Sequence, residues 1–268
     1  LRDDQWLAGT KEFWSLCTQY RIHLISLPTA FFHQLMRAPM MQLPAELRTV
    51  VIGGEGLQAD CVKQWFAHPG VLPELVNSYG PTETTVTVSH FIVEAAAQPG
   101  EVISLGKADG NNRLYILDDR RRLVPPGVKG ELYIGGEQVG RGYWRNPELT
   151  SAAFMFDPWR QSERGRMYKT GDLARYRTDG NIEFLGRNDG QIKFKGFRVE
   201  LPEIEQCLSR HQLIDAAIVA LDKSKQHLEA WLVSKLNSDT ETFVALVKTW
   251  LKGQLPHYML PTRWAVVS

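Results

Sequence analysis

The side chains best suited to chemistry in this 268-residue chain fall in one stretch. Tyr168-Lys-Thr-Gly-Asp172-Leu173 is followed by Gly180-Asn-Ile-Glu-Phe184-Leu-Gly-Arg187-Asn-Asp189-Gly190, then by Gln191-Ile-Lys193-Phe-Lys195-Gly196-Phe-Arg198-Val-Glu200. Apolar and polar residues alternate on both sides of Thr178-Asp179-Gly180, which predicts a hairpin with the Gly171-Asp172 pair at the mouth of a strand. An ionised carboxylate beside a glycine at a strand end approaches a sugar closely and accepts from two neighbouring hydroxyls, such as the 2′ and 3′ of a ribose. Arg187, at the end of the next strand, brings a fork of donors to the same ligand. The constellation is nucleotide-shaped. It predicts that Asp172 is an exposed ligand carboxylate, so that Asp172→Ala removes nucleotide binding without unfolding the chain.

A second candidate is the loop Asn77-Ser78-Tyr79-Gly80-Pro81-Thr82-Glu83-Thr84-Thr85. It joins an aromatic face, a glycine that admits close backbone approach, hydroxyls that reach phosphate and a carboxylate suited to Mg2+. By composition alone it reads equally well as a polar turn stiffened by Pro81. Gly53-Gly54-Glu55-Gly56 has neither the GxGxxG spacing nor the Lys-Ser/Thr of a phosphate loop and reads as a tight strand-to-helix turn.

These residues need elements to hold them. Apolar spacing predicts helices over 11–20, from Thr29 through Phe32, Leu35 and Met36, and over 57–67, alternating with strands at 22–26, 48–52 and 75–76. That rhythm argues for a parallel sheet of βαβ units, whose ligands sit outside the carboxyl ends of the strands. Short strands at 85–93, 113–117, 131–134, 173–177 and 182–185, punctuated by Gly and Pro, predict a small distorted β-barrel or sandwich lobe. Strands at 191–194, 197–199, 214–221 and 228–234 with helices from Leu201 and over 241–253 predict a separate small α+β domain. The expected organisation is α/β plus α+β. Residues 1–188 form the larger part (1–95 the sheet portion, 96–188 the β-rich lobe), and residues 189–268 a small domain with its linker near Asn188–Gly190.

A net charge of +1 with 23% charged residues excludes a strong pull toward nucleic acid or an anionic membrane, and Arg120-Arg121-Arg122 reads as a solvated turn. Cys17, Cys61 and Cys207 have no metal-type or CxxC spacing; Cys61 and Cys207 read as small buried hydrophobes, and a reducing cytoplasm fits. No apolar run is long enough to span a bilayer and no signal-peptide pattern opens the chain. Leu1 and Ser268 look like cuts within a longer sequence, so a fragment at both ends is expected.

Taken together these stretches resemble the adenylation domains of non-ribosomal peptide synthetases, in the superfamily of acyl-CoA synthetases, aryl-acid ligases and luciferases. The resemblance covers essentially the whole chain. It rests on Asn77–Glu83, Gly130–Gly136 with Arg141-Gly-Tyr143 and Asn146-Pro147, Tyr168–Leu173, Gly186–Glu205 and Leu255–Pro261, in the family's order and spacing. Such domains join a carboxylate to the α-phosphate of Mg·ATP and pass the acyl group to a phosphopantetheine thiol on a carrier protein, chemistry that depends mainly on positioning and charge stabilisation.

Position by position, the resemblance implies that Tyr79 stacks on adenine within a nucleotide site that includes Ser78 and Gly80. Thr82 contacts phosphate, Glu83 helps hold Mg2+, Asp172 takes the ribose hydroxyls, and Arg187 reaches the ribose or phosphate side. Phe184 stands where many relatives have Tyr beside the adenine. Ser26, Val51, Gly53, Ser78, Val86 and Thr87 line the amino-acid pocket, mostly small and uncharged, although the same residues fit ordinary strand packing. Asp189 is the hinge, eased by Gly190, and Gly196 lines the pantetheine path, while Lys193 and Lys195 read as a solvated strand face.

The family's phosphate loop and the acid that grips the substrate ammonium are expected before Leu1, and its catalytic lysine after Ser268. An amino acid, an aryl acid or a keto acid therefore stays open as substrate, and the chain is expected to be a nucleotide-binding piece of an enzyme. Implied partners are a peptidyl carrier domain, neighbouring synthetase domains and an MbtH-like protein, with no nucleic acid and no membrane. A stand-alone acyl- or aryl-CoA ligase and a degenerate scaffold domain are the alternatives. The Asn77–Thr85 loop and Gly186-Arg187-x-Asp189-x-Gln191-x-Lys193 favour the synthetase branch.

Overall fold

Three apolar strands, each followed by a loop or helix that carries the chain back across one face, begin the architecture seen in the computed structural model. It describes residues 4–39, 42–160, 165–194, 197–222, 227–235 and 239–267. Contacts divide the chain into two units, Leu1–Asn188 and Asp189–Ser268.

In the first unit, β1 (Leu24–Pro28), β2 (Thr49–Gly53) and β3 (Glu74–Tyr79) pair in parallel, with Ser26 beside Val51 beside Val76, and Pro28 beside Gly53 beside Ser78. Successive side chains on a strand point to opposite faces. Ile25, Leu27, Val50, Ile52 and Leu75 therefore share one face, where they pack with Phe13 and Trp14 of α1 (Thr10–Gln19), Phe32 of α2 (Thr29–Arg37) and Trp65 of α3 (Ala59–Phe66). The sheet is not wholly parallel. β4 (Ser89–Val93) runs antiparallel to β3, and β5 (Lys107–Ala108) antiparallel to β4.

The β-rich lobe contains β6 (Asn112–Leu117), β7 (Gly130–Gly136), α4 (Pro147–Ala153), β8 (Phe154–Phe156), β9 (Arg166–Tyr176) and β10 (Ile182–Arg187). Its sheet has the order β10-β9-β7-β6, with β8 paired to β9. Among the described residues this path is open rather than a closed barrel, and an antiparallel bridge between Gly106 and Ile182 ties it to the first sheet. Tyr79 and Val88 share a core with Leu114, Ile116, Leu132, Ile134, Ala174 and Ile182, so the end of β3 is anchored in the lobe.

Two strands differ most from the sequence expectation in where they start. The strand expected from Leu173 begins at Arg166, and the strand expected from Thr85 begins at Ser89. In addition, α4 starts at an Asn-Pro pair whose asparagine Oδ1 accepts the Leu149 N–H at 3.0 Å. Asn as cap with Pro at the first helical position is a start signal for a helix too short to show periodicity.

The second unit opens with the hairpin β11 (Gln191–Phe194) and β12 (Phe197–Glu200), followed by α5 (Leu201–Ser209). β13 (Ile214–Leu221), β14 (Leu228–Ser234) and β15 (Arg263–Val267) form its sheet, with β14 and β15 parallel, and α6 (Thr240–Lys252) lies between them in sequence. Val199, Ile204, Leu208, Val219, Leu232, Val247 and Leu251 form its core.

Candidate functional site

Asp172 lies in the interior of β9, not at a strand mouth, and is 3% exposed. Gly171, at φ 76, is the reason. Pairing of β9 with β7 slips between Glu131 and Tyr133, where β9 carries extra residues, and pairing of β10 with β9 slips between Phe184 and Gly186, at φ 110. Such bulges bend a strand and re-aim its side chains. Here they leave Asp172 directly across from Arg187.

The expectation of an exposed carboxylate is therefore corrected, because the protein itself engages both oxygens. Arg187 Nη1 donates to Oδ1 at 2.6 Å, and the Tyr79 hydroxyl donates to Oδ2. Below them, the Asp172 N–H donates to Thr170 Oγ1 at 2.9 Å, whose own proton goes to the Leu132 carbonyl at 2.7 Å. The Gly171 N–H donates to Glu131 Oε1 at 3.2 Å, and the Asn188 N–H to the Gly171 carbonyl at 3.0 Å. Burial first, then the Asp172 charge and hydrogen bond, push the Tyr79 phenol well above its ordinary pKa, so it remains a protonated donor.

The loop after β3 is tightly specified. A Cβ on Gly80 would sit 2.5 Å from the Val86 carbonyl oxygen and 2.9 Å from Thr87 Cα, so only glycine fits. Thr82–Thr84 makes a 3-10 turn, after which Thr85 and Val86 take φ 59 and φ 72. Two consecutive β-branched residues in the left-handed region hold about 1–3 kcal/mol of strain each. That strain is why the predicted strand cannot begin at Thr85. Gly140 N–H donates to the Glu83 carbonyl at 2.7 Å and Thr85 Oγ1 to the Gln138 carbonyl at 2.9 Å, which brace the loop. Thr82 is exposed and Glu83 half-buried. Glu83 Oε1 accepts from the Tyr143 hydroxyl at 2.7 Å. Burial and then the bond to Glu83 raise the Tyr143 phenol far above its usual range.

Among the described residues no group of three or more His, Cys, Asp or Glu side chains could hold a metal ion. Mg2+ needs no such cage, since one or two carboxylates plus substrate phosphates and water complete its octahedron. Glu83, at the head of a loop with exposed Thr82, fits that donor set.

Ser26, Val51, Gly53 and Ser78 lie on the sheet face opposite the three helices, across neighbouring register positions. The Ser78 hydroxyl donates to the Ile52 carbonyl at 2.9 Å, within the sheet, and a Cβ on Gly53 would lie 2.5 Å from that hydroxyl. Val86 is 74% exposed and Thr87 half-buried. Tyr79 is 6% exposed while Phe184 is half-buried, so Phe184 has the more open aromatic surface of the two. The Gly53–Gly56 turn is held from behind. His33 Nε2 accepts the Gln58 N–H at 3.1 Å, and Thr29 Oγ1 donates to the Glu55 carbonyl at 3.3 Å.

Asp189 is the first residue of the second unit. Lys193 and Arg198 are exposed and face each other across the β11–β12 hairpin, whereas Lys195 and Gly196 lie outside the described residues. Tyr143, Thr170, Glu131 and Gln138 are site residues to which sequence reasoning gave no role. Tyr143, Thr170 and Glu131 stood inside recognised motifs, but the bonds of Tyr143 to Glu83, Thr170 to Leu132 and Glu131 to Gly171 span 60, 38 and 40 positions.

The fold and site define a class of protein. The chain belongs to the AMP-binding enzyme family, whose sequence pattern matches residues 2–144, more than half of its 268 residues. It is 40% identical over 245 residues to malpibaldin synthetase of Mortierella alpina, covering 90% of this chain and 4% of that protein. To surfactin synthase subunit 1 of Bacillus subtilis it is 44% identical over 230 residues, covering 83% of this chain and 6% of that one. Among solved structures, an NRPS protein containing adenylation and PCP domains, bound to a vinylsulfonamide inhibitor, aligns with a TM-score of 0.82 at 27% identity, over 97% of this chain and 44% of that chain. A four-domain nonribosomal peptide synthetase bound to AMP and glycine aligns with a TM-score of 0.60 at 34% identity, over 97% of this chain and 19% of that one. Within the family, then, the similarity runs to nonribosomal peptide synthetases and their adenylation domains, and this chain spans 4% and 6% of the two named synthetases and less than half of either solved chain. Asp172 and Arg187 lie beyond the residues that the family pattern matches. No helix among the described residues is long and apolar enough to cross a membrane.

Proposed function

We propose that this chain is the nucleotide-binding part of an ATP-dependent adenylation domain that activates an amino acid and delivers it to a carrier protein. In the first half-reaction a carboxylate oxygen of the amino acid attacks the α-phosphorus of ATP. A carbon–oxygen–phosphorus linkage forms and the bond from the α-phosphorus to pyrophosphate breaks. In the second, the thiol of a carrier's phosphopantetheine loses its proton and attacks the acyl carbon, giving a thioester and releasing AMP.

The observation that carries this reading is the Asp172–Arg187–Tyr79 cluster on its paired bulges, beside the braced 80–88 loop, in a chain of the AMP-binding family. Asp172 receives the ribose hydroxyls. Arg187, whose side chain is 13% exposed against 5% for Asp172, meets the ligand first and shifts to share the carboxylate with it. Tyr79 fixes the carboxylate with its hydroxyl and supplies, with Phe184, the aromatic walls for adenine. Ser78 and Gly80 shape the backbone there, and Thr82 donates to phosphate. Glu83 holds Mg2+, which when bound neutralises phosphate charge.

The amino-acid side chain enters over the face formed by Ser26, Val51, Gly53 and Ser78 with Val86 and Thr87, an uncharged lining. Asp189 is the proposed hinge and Gly196 the proposed lining of the pantetheine path. The working partners are a peptidyl carrier domain and neighbouring synthetase domains, with an MbtH-like protein as activator, in the cytoplasm.

Calorimetric titration with AMP, comparing the native chain with Asp172→Ala under conditions where both are folded, tests the site. Loss of binding in the variant is expected, and unchanged affinity overturns the assignment. Amino-acid-dependent exchange of pyrophosphate into ATP by the full-length protein, over a panel of amino and aryl acids, tests the reaction. No exchange with any acid overturns it, and acyl transfer to free coenzyme A in place of a carrier favours the stand-alone ligase.

A further inference from the structure

Glu83 does not stand alone at the head of its loop. Its Oε1 accepts the Tyr143 hydroxyl at 2.7 Å, and that hydroxyl is in turn hydrogen-bonded to Tyr168. An ionised carboxylate only accepts, so the proton of the Tyr143 hydroxyl goes to Glu83. Groups joined in this way polarise and strengthen one another.

The surroundings of Tyr143 are built to hold it still. Its N–H donates to Thr150 Oγ1 at 2.9 Å, and that hydroxyl donates to the Asn146 carbonyl at 2.7 Å, at the start of α4. Gly142, at φ 134, brings the backbone so close to Thr150 that a Cβ would lie 2.3 Å from Thr150 Cγ2. The Tyr143 ring meets Phe154 edge-on at 5.4 Å, and Phe154 lies 5.0 Å from Tyr168. Helix α4 buries no residue of its own, so it contributes little as a core element. What it does supply is the capped turn that seats Tyr143. From the same segment, Gly140 and Gln138 grip the backbone and side chain of the Glu83 loop.

We infer that Tyr143 is a positioning residue, which with Tyr168 behind it aims the Glu83 carboxylate at the divalent cation of the bound nucleotide. The inference rests on the nucleotide-binding reading above. Its physical basis is that outer partners fix the orientation of a metal-binding carboxylate, and their removal typically weakens metal binding about 10–100-fold.

The test uses Mn2+ as the probe, read by electron paramagnetic resonance as free ion lost on binding, in the full-length protein with ATP. AMP affinity is measured in parallel with the cation chelated. Tyr143→Phe deletes one oxygen and keeps the ring against Phe154. It is expected to retain the native AMP affinity without metal, while Mn2+ affinity in the ATP complex falls about 10-fold or more. Tyr168→Phe keeps the direct bond to Glu83 and removes only the phenol oxygen behind it, so it is expected to give a smaller fall, and it serves if Tyr143→Phe does not fold. Glu83→Gln is expected to abolish the ATP-dependent Mn2+ signal.

Unchanged Mn2+ affinity in folded Tyr143→Phe, or in Tyr168→Phe where the first variant does not fold, overturns the positioning role. So does native protein that binds AMP but takes up no Mn2+ with ATP. Native protein that binds no AMP under chelation overturns the nucleotide reading instead, so the two failures are distinct.

Discussion

Replacing Asp172 by alanine should cost the first unit about 3–5 kcal/mol, the range for removing one partner of a buried ion pair and leaving the other uncompensated. Asp172 is 3% exposed, and both of its oxygens are engaged, one by the Arg187 guanidinium at 2.6 Å and the other by the Tyr79 hydroxyl. Alanine leaves the 6%-exposed phenol without its acceptor, which adds about 1–3 kcal/mol where water cannot follow. Arg187, at 13%, recovers some hydration, which offsets that addition and keeps the total within about 3–5 kcal/mol. Asp172→Asn keeps an acceptor for Tyr79 but turns an NH2 toward Arg187 in place of the second oxygen, so it loses the charge and that bond, and its effect should be smaller than that of alanine by only about 1–3 kcal/mol.

Urea denaturation followed by tryptophan fluorescence reads this directly, since Trp65 is fully buried in the first unit. Against a typical stability of about 5–15 kcal/mol, the alanine variant unfolds at a clearly lower midpoint yet remains folded in buffer. A loss below about 1 kcal/mol would mean that the carboxylate is solvated and that the network is not maintained in solution.

Two further outcomes are expected. Burial, and secondarily Arg37, lower the His33 pKa from 6.5 to about 4, so the folded protein holds it neutral as the acceptor for Gln58. Its contribution is complete above pH 6.5 and is lost as pH falls toward 4, because the unfolded chain then binds the proton that the folded chain refuses. That amounts to about 2–3 kcal/mol between pH 7.5 and 4.5. Urea midpoints at the two pH values measure it, and His33→Gln, which can still accept from Gln58, should flatten this part of the dependence. Gly80→Ala should cost about 2–3 kcal/mol or distort the 82–88 loop, given a Cβ 2.5 Å from the Val86 carbonyl oxygen. AMP affinity should fall with it, and an alanine variant with native stability and affinity would show that the loop has room to move.

Much of the scaffold was legible because its periodicities are clean. The strands at 214–221 and 228–234 and the helix opening at Thr29 were readable from alternation and apolar spacing, since each element buries one face and exposes the other. Tertiary context decided the rest. Arg166–Thr170 was not read as strand, because Gly171 looks like an end when it is in fact a bulge inside β9. Thr85 and Val86 have strong β propensity, yet the close approach of Gly80 turns them left-handed. The Tyr143–Glu83 and Tyr79–Asp172 bonds join residues far apart in sequence, and no spacing rule encodes them.

The failures of local reading are not scattered at random, and their distribution is itself an argument about the site. Among the described residues of the second unit no residue other than glycine has positive φ, and nearly every boundary there followed from pattern. In the first unit, left-handed Thr85 and Val86, Gly171 and Gly186, and both register slips of β9 all fall on the segments that carry Glu83, Asp172 and Arg187. Arg21, Arg121 and Arg145, also left-handed, are exposed and are not candidate residues, and the β13–β14 pairing of the second unit slips between Ile214 and Ala216, so neither positive φ nor a register slip alone is the signal. The signal is strain that coincides with buried, mutually bonded charge. A fold tolerates such departures where the surrounding structure over-determines them, and they concentrate where geometry is needed for something other than stability. Perturbing one of them should therefore separate the two properties. Gly186→Ala, at φ 110 with no atom within 4 Å of the added Cβ, introduces backbone strain without a clash. A bulge that serves ligand placement predicts that this variant loses AMP affinity by a larger factor than its unfolding midpoint accounts for, and a loss confined to stability would show the bulge to be only a feature of the sheet.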